Sequence, residues 1–229
     1  MFHLVSSLYT QYTKREQYNV LILGLDNAGK TTFLEHIKLL YSTPDSNNKQ
    51  STQDTTSIIK SKRILPTVGQ NTTTIKYHSD ENIVYNNINL KFWDLGGQKS
   101  LRNMWSRYYS SCHGIIFIID STDTDRFQEC YETLMTLSHD ENWGDENNNY
   151  ESTVNVPILM MANKQDLPQA IDLVTLKTGV FIQVVSELEA TDSKLLPVSV
   201  LENQGIKESL EWLISRLVYN KANKQPEYR

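Results

Sequence analysis

Apolar and polar positions along this chain repeat with two periods that take turns. Tyr18-Asn19-Val20-Leu21-Ile22-Leu23, Gly114 to Asp120 and Val156 to Ala162 are short, almost continuously apolar runs, the pattern of strands covered on both faces. Between and after them the spacing turns helical. Phe33, Leu34, Ile37, Leu40 and Tyr41 form one stripe, and Leu210, Leu213, Ile214 and Leu217 form the last. Further helices are predicted over about Asp125 to Ser138, over about Ala170 to Leu188, and through Leu101, Met104, Trp105 and Tyr108. Thr72 to Tyr77 and Ile88 to Trp93 read as the two arms of a hairpin, and Leu195 to Ser199 as a last short strand. Strands that alternate with helices predict an α/β fold. The expected architecture is a six-stranded, mostly parallel sheet with helices on both faces and a ligand beyond the carboxyl ends of the strands.

Three stretches stand outside that rhythm. In residues 1–16, Phe2, Val5, Leu8 (or Tyr9) and Tyr12 share one stripe with polar residues opposite, which predicts a separate amphipathic helix. It either packs on the domain's own core or serves a membrane surface or partner. Residues 42–62 and 140–153 are rich in Ser, Thr, Asn, Gln and Asp, so both read as disordered polar inserts in a single domain over 17–222. Residues 223–229 read as a tail.

Composition narrows the function classes. A formal charge of −5 and a pI near 5.6 argue against nucleic acid as a partner. Cys112 and Cys130 lack metal-ligand spacing and fit free cytosolic thiols. No apolar run approaches the roughly 20 residues of a membrane span, no secretory signal is visible, and the C-terminal residues offer no cysteine for prenylation.

The chemistry is concentrated at strand ends. Gly24-Leu25-Asp26-Asn27-Ala28-Gly29-Lys30-Thr31-Thr32 fits the phosphate-binding pattern G-x-x-x-x-G-K-[ST] and lies between a predicted strand and a predicted helix. Backbone N–H groups and the positive end of a helix dipole face an anion there. Lys30 is expected on the β- and γ-phosphates, and the Thr31 hydroxyl on Mg²⁺. Asp94, ending the second hairpin strand before Leu95-Gly96-Gly97-Gln98, is placed to hold Mg²⁺. Asn163-Lys164-Gln165-Asp166 follows a buried strand. The Asp166 carboxylate can accept from both N1–H and the 2-amino group of guanine, whereas adenine presents an acceptor and no 2-amino group. Asn163 and Lys164 are expected to brace the base and the phosphate loop.

These motifs, with Pro66-Thr67-Val68-Gly69 and Trp93-Asp94-Leu95-Gly96-Gly97-Gln98, resemble those of the Arf and Arf-like small GTPases over almost the whole chain. Asp26 and Trp93 point to that branch rather than to Ras- or Rab-like GTPases. Met1 to Val5 and Gly69-Gln70-Asn71 resemble the Arf-related subgroup, which acts at the trans-Golgi.

The resemblance implies a P-loop GTPase domain that switches between GTP and GDP, uses Mg²⁺ and hydrolyses GTP slowly. In that picture the nucleotide phosphates meet Asp26, Asn27, Ala28, Gly29, Lys30, Thr31 and Thr32. Thr67 joins Thr31 and Asp94 at the metal, Gly97 donates its N–H to the γ-phosphate, and Gln98 orients the attacking water. Asn163, Lys164, Asp166, Ser199 and Val200 hold guanine, with Val200 in place of the family's small alanine. Gln70 replaces the family's usual phenylalanine after the switch glycine. An exchange factor, an activator that supplies an arginine (rather than Arg63 in cis) and effectors are expected in trans.

Phe2 excludes the usual myristoylated glycine. The resemblance to the Arf-related subgroup then implies an acetylated N-terminal helix that a Golgi membrane protein recognises. The alternative class is a GTP-binding scaffold with negligible hydrolysis, and an ATP-dependent kinase stands third.

Overall fold

The computed structural model describes residues 15–41, 52–78, 88–138, 140, 156–179, 181–182 and 192–228. The expected N-terminal helix lies outside the described residues except for Arg15 and Glu16, and Glu16 already belongs to the first strand. The first half of the 42–62 insert, the hairpin tip and the 140–153 insert beyond Asp140 also lie outside them.

The first strand, β1 (Glu16–Leu23), leads into α1 (Lys30–Tyr41) and then α2 (Thr52–Ser61). The hairpin strands β2 (Gln70–Tyr77) and β3 (Ile88–Leu95) follow. A 3-10 turn over Lys99–Met104 runs into the one-turn α3 (Ser106–Tyr109). Next come β4 (Gly114–Asp120), α4 (Phe127–Ser138), β5 (Ile158–Asn163) and α5 (Leu173–Thr178). The chain closes with β6 (Ser193–Pro197), α6 (Ile206–Tyr219) and β7 (Glu227–Tyr228).

The sheet order is β2-β3-β1-β4-β5-β6, parallel except for the β2–β3 hairpin. Period-two alternation sends each strand's side chains to two separate cores. Tyr18, Val20 and Ile22 of β1 join Phe33, Leu34 and Ile37 of α1 and Leu210, Leu213 and Ile214 of α6 on one face. Leu21 and Leu23 join Ile115, Phe117 and Ile119 of β4, and Leu134 of α4, on the other. Full burial of each such side chain contributes about 1.5–3 kcal/mol. The carboxyl ends of β1, β3 and β5 therefore reach one rim, where the three motifs lie. Cys112 and Cys130 are buried free thiols, and burial pushes both up to about 12.

Several sequence expectations need correction. The insert over 42–62 is not disordered throughout, because Thr52–Ser61 forms α2. Thr55 and Ile59, four residues apart, are buried, and Lys62 just beyond the helix pairs with Glu35 of α1 at 2.5 Å. A stripe of two residues is too short to register as periodicity in so polar a segment. The tail at 223–229 is likewise more than a tail. Glu227–Tyr228 adds a seventh strand, antiparallel to β1 at Glu16 and Gln17. The Glu227 carboxylate accepts from Gln17 Nε2 at 2.9 Å and from Asn19 Nδ2 at 2.7 Å, which gives the nitrogens of two buried amides a partner.

The helix expected from Ala170 starts later and stops sooner. Asp172 caps it by accepting from the Thr175 N–H, and Gly179 ends it, with 183–191 outside the described residues. Among the described residues no helix is long and apolar enough to cross a membrane.

Candidate nucleotide site

The phosphate loop turns sharply between β1 and α1. Gly24 has φ +137°, and a Cβ there would run into the Ile118 carbonyl of β4, so only glycine fits. The Lys30 ammonium is buried and donates to the carbonyls of Gly24 (3.0 Å) and Leu25 (2.6 Å). Burial pushes it down to about 8, and the carboxylates of Asp94 and Asp26 work against that fall. A phosphate beside it favours the charged form in the same way. Asp26, Asn27, Gly29, Lys30, Thr31 and Thr32 line a cavity of about 330 Å³.

Beside the loop sits a cluster of hard oxygens. Thr31 Oγ1 donates to Asp94 Oδ2 at 2.7 Å and lies 2.7 Å from Thr67 Oγ1, while Thr67 Oγ1 is 3.2 Å from the same carboxylate oxygen. The other oxygen, Asp94 Oδ1, is buried and has no hydrogen-bond partner among the described residues. Burial raises the Asp94 carboxyl. An orphaned carboxylate oxygen next to two hydroxyls is a donor set that fits Mg²⁺, which prefers oxygen ligands.

Gly96 to Gln98 are fixed from several sides. The Gly96 N–H donates to the Gly69 carbonyl at 3.0 Å, and the Gly96 carbonyl accepts from the Trp105 indole at 3.1 Å. Arg102 Nε donates to the Gly97 carbonyl at 2.8 Å, and the same guanidinium pairs with Glu129 at 2.9 Å. A Cβ on Gly97 would collide with the Lys30 ammonium, and would lie 2.5 Å from the Gly24 carbonyl oxygen and 2.6 Å from the Asp26 nitrogen. The Gly97 backbone is thus pressed against the phosphate loop. Gln98 is exposed and lines the cavity with Gly97 and Thr67.

At the far end Asn163 ties two loops together. Its Nδ2 donates to the Ala28 carbonyl at 2.8 Å, and its Oδ1 accepts the Val200 N–H at 3.1 Å. The expected brace of the phosphate loop by Asn163 is therefore present. Lys164, in the left-handed conformation with φ +66°, pairs with Asp120 at 2.5 Å. Ser199 Oγ donates to Asp166 Oδ1 at 2.5 Å, which sets the carboxylate's orientation. Asn163, Lys164, Asp166 and Val200 line the same cavity, whereas Ala28, Ser199 and Asp94 stand just behind its wall. The Val200 side chain is buried in the core, which accounts for a valine where the motif has alanine.

Three residues that hold this site together stand outside every motif. Arg126 clamps the phosphate loop, donating to Asp26 Oδ1 (2.9 Å) and to the Asp26 carbonyl (3.2 Å), and its Nε donates to Asp123 at 2.7 Å. Arg102 and Asp120 are the other two. Their sequence signals are slight: the i,i+3 spacing of Asp123 and Arg126 and the position of Asp120 at a strand end.

Comparison with known proteins identifies the family. Residues 4–217 match the family model described as "Arf: ADP-ribosylation factor family". The chain is 45% identical to ADP-ribosylation factor-like protein 3 of Saccharomyces cerevisiae over the full length of both. It is 34% identical to human ADP-ribosylation factor-related protein 1, covering 100% of this chain and 98% of that protein. The Arl6 BBS3 small GTPase of Trypanosoma brucei, solved with the nucleotide analogue GppNp, superposes with a TM-score of 0.67. That match covers 89% of this chain and 99% of the other at 22% identity, and it speaks for the fold alone. The chain belongs to the ADP-ribosylation factor family and is a small GTPase, a GTP-binding switch that hydrolyses GTP.

Proposed function

We propose that this switch works on Golgi membranes, where its GTP form recruits vesicle-trafficking partners. The observation that carries the switch reading is the reach of Thr67 to Thr31 and Asp94. Thr67 comes from a segment that exposes Leu65 and Val68, the latter 85% accessible. A γ-phosphate that holds Thr67 therefore also sets where those apolar side chains point.

In this reading Lys30 and the loop amides of residues 26–32 bind the phosphates, and the Gly97 N–H meets the γ-phosphate. Gln98 orients the attacking water. Asp166 reads guanine while Ser199 and Asn163 hold the loops around it. Thr31, Thr67 and Asp94 would hold Mg²⁺, which neutralises phosphate charge when bound. The activator's arginine completes the charge balance in trans.

Thr31→Asn is expected to weaken retention of GTP in Mg²⁺ and to favour a GDP-like or nucleotide-free form, because an amide replaces the hydroxyl that meets both Asp94 and Thr67. Nucleotide dissociation measured with and without excess chelator checks this, and an unchanged rate in Mg²⁺ would remove Thr31 from the metal site.

The Golgi address rests on the full-length similarity to the related proteins and on Phe2, Val5, Leu8 and Tyr12 at the N-terminus. A stripe that small is too weak an anchor alone, so a membrane-protein receptor for an acetylated N-terminus completes the reading. Deleting residues 2–13 should make the protein cytosolic and leave GTP binding intact. A truncated protein that stays on Golgi membranes, or tight binding of the intact GTP form to protein-free liposomes, would rule the receptor out.

A further inference from the structure

We propose that α2 is a nucleotide-retaining brace, in which Lys60 acts through Glu202 to hold the guanine-side loop and slow the escape of bound nucleotide. The helix sits in a polar insert, yet it is tied to the guanine-side loop at Glu202 and, through Lys62 just beyond it, to Glu35 of α1. Lys60 Nζ lies 2.5 Å from Glu202 Oε1, a contact between residues 142 apart in sequence. The Glu202 N–H donates to Ser199 Oγ at 3.2 Å, and Ser199 in turn donates to Asp166 Oδ1. A line of polar contacts thus runs from α2 to the carboxylate that faces the base.

The loop is closed on itself by the paired backbones of Ser199 and Gln204. It is supported from the α1 side by His36, which is fully buried beside Val200 and Asn203. The helix has its own footing, since Ile59 and Thr55 are buried and Lys62 pairs with Glu35. Residues 62–69 then lead directly from α2 to Thr67 at the oxygen cluster. One helix therefore contacts the guanine-side loop through Lys60 and continues along the chain into the segment that carries Thr67.

The side chains of Lys60 and Glu202 are 49% and 37% exposed. Exposed pairs add little to global stability. Their effect belongs to the opening of the loop, which must break this contact to let the base out. Lys60 is a positioning residue, and its role rests on reading the cavity as the GTP site.

The test uses the full chain loaded with a fluorescent GDP analogue and chased with excess GDP. Lys60→Glu and Glu202→Lys should each speed release by about 3- to 10-fold, because each turns an attraction into a repulsion. The exchanged pair, Lys60→Glu with Glu202→Lys, should return the rate to within about twofold of the parent. Single variants that release at the parent rate, or an exchanged pair as fast as the singles, would overturn the brace. If a single variant also melts lower, the exchanged pair still decides, because it carries the same side chains. A parent protein that fails to retain the analogue would instead bring down the reading of the cavity itself.

Discussion

Gln98→Leu is expected to lower activator-stimulated GTP hydrolysis by on the order of 10³-fold while leaving GTP affinity nearly unchanged. The side chain is exposed at the start of the 3-10 turn, so leucine there meets no steric obstacle and disturbs no core. The neighbouring backbone stays in place, because Arg102, Trp105 and Gly69 hold Gly96 and Gly97 independently of residue 98. The loss is then confined to the group that can hydrogen-bond a water in line with the γ-phosphate. Hydrolysis of this kind forms no covalent intermediate and depends on positioning. Single-turnover hydrolysis with a Golgi extract as activator source measures it, alongside dissociation of a fluorescent GTP analogue. Wild-type turnover in the variant would refute the assignment of Gln98.

The second large effect concerns the base. Asp166→Asn should cost GTP affinity about 10⁴-fold and improve binding of xanthosine triphosphate. Ser199 Oγ donates to Asp166 Oδ1, and an asparagine oxygen can take the same proton. That leaves the amide nitrogen turned to the base, where guanine offers only N1–H and the 2-amino group, both donors. Xanthine carries an oxygen in place of the 2-amino group and accepts from the new amide. Competition between the two triphosphates for the variant reads the change. If GTP still outcompeted the xanthine nucleotide, Asp166 would not be the residue that reads guanine.

The site was more legible in the sequence than the parts that hold it. Gly24 to Thr32 declares itself because backbone geometry admits few alternatives, and Gly24 against Ile118 shows how little room there is. Strands such as β4 are plain because full burial on both faces leaves an unbroken apolar run. Arg126 on Asp26, Arg102 on Gly97 and Lys60 on Glu202 were invisible for one shared reason. A charged side chain looks the same in sequence whether it faces water or a partner far along the chain. α2 escaped because burial of Thr55 and Ile59 needs α1 beside it, which is tertiary context rather than local pattern. The same holds for β7, whose two residues carry no strand signal of their own.

That last strand bears on how the molecule is made. Gln17 and Asn19 leave the ribosome long before Glu227, the carboxylate that their side-chain amides meet across 210 and 208 residues. His113, whose Nδ1 accepts the Asn19 N–H, likewise waits for the Gln225 carbonyl, 112 residues further on. Until translation reaches those residues, two amides and an imidazole at the foot of the central strand lack these partners. Docking of β7 is therefore a late step in folding, and a chain cut before Gln225 leaves polar groups stranded at the foot of the sheet.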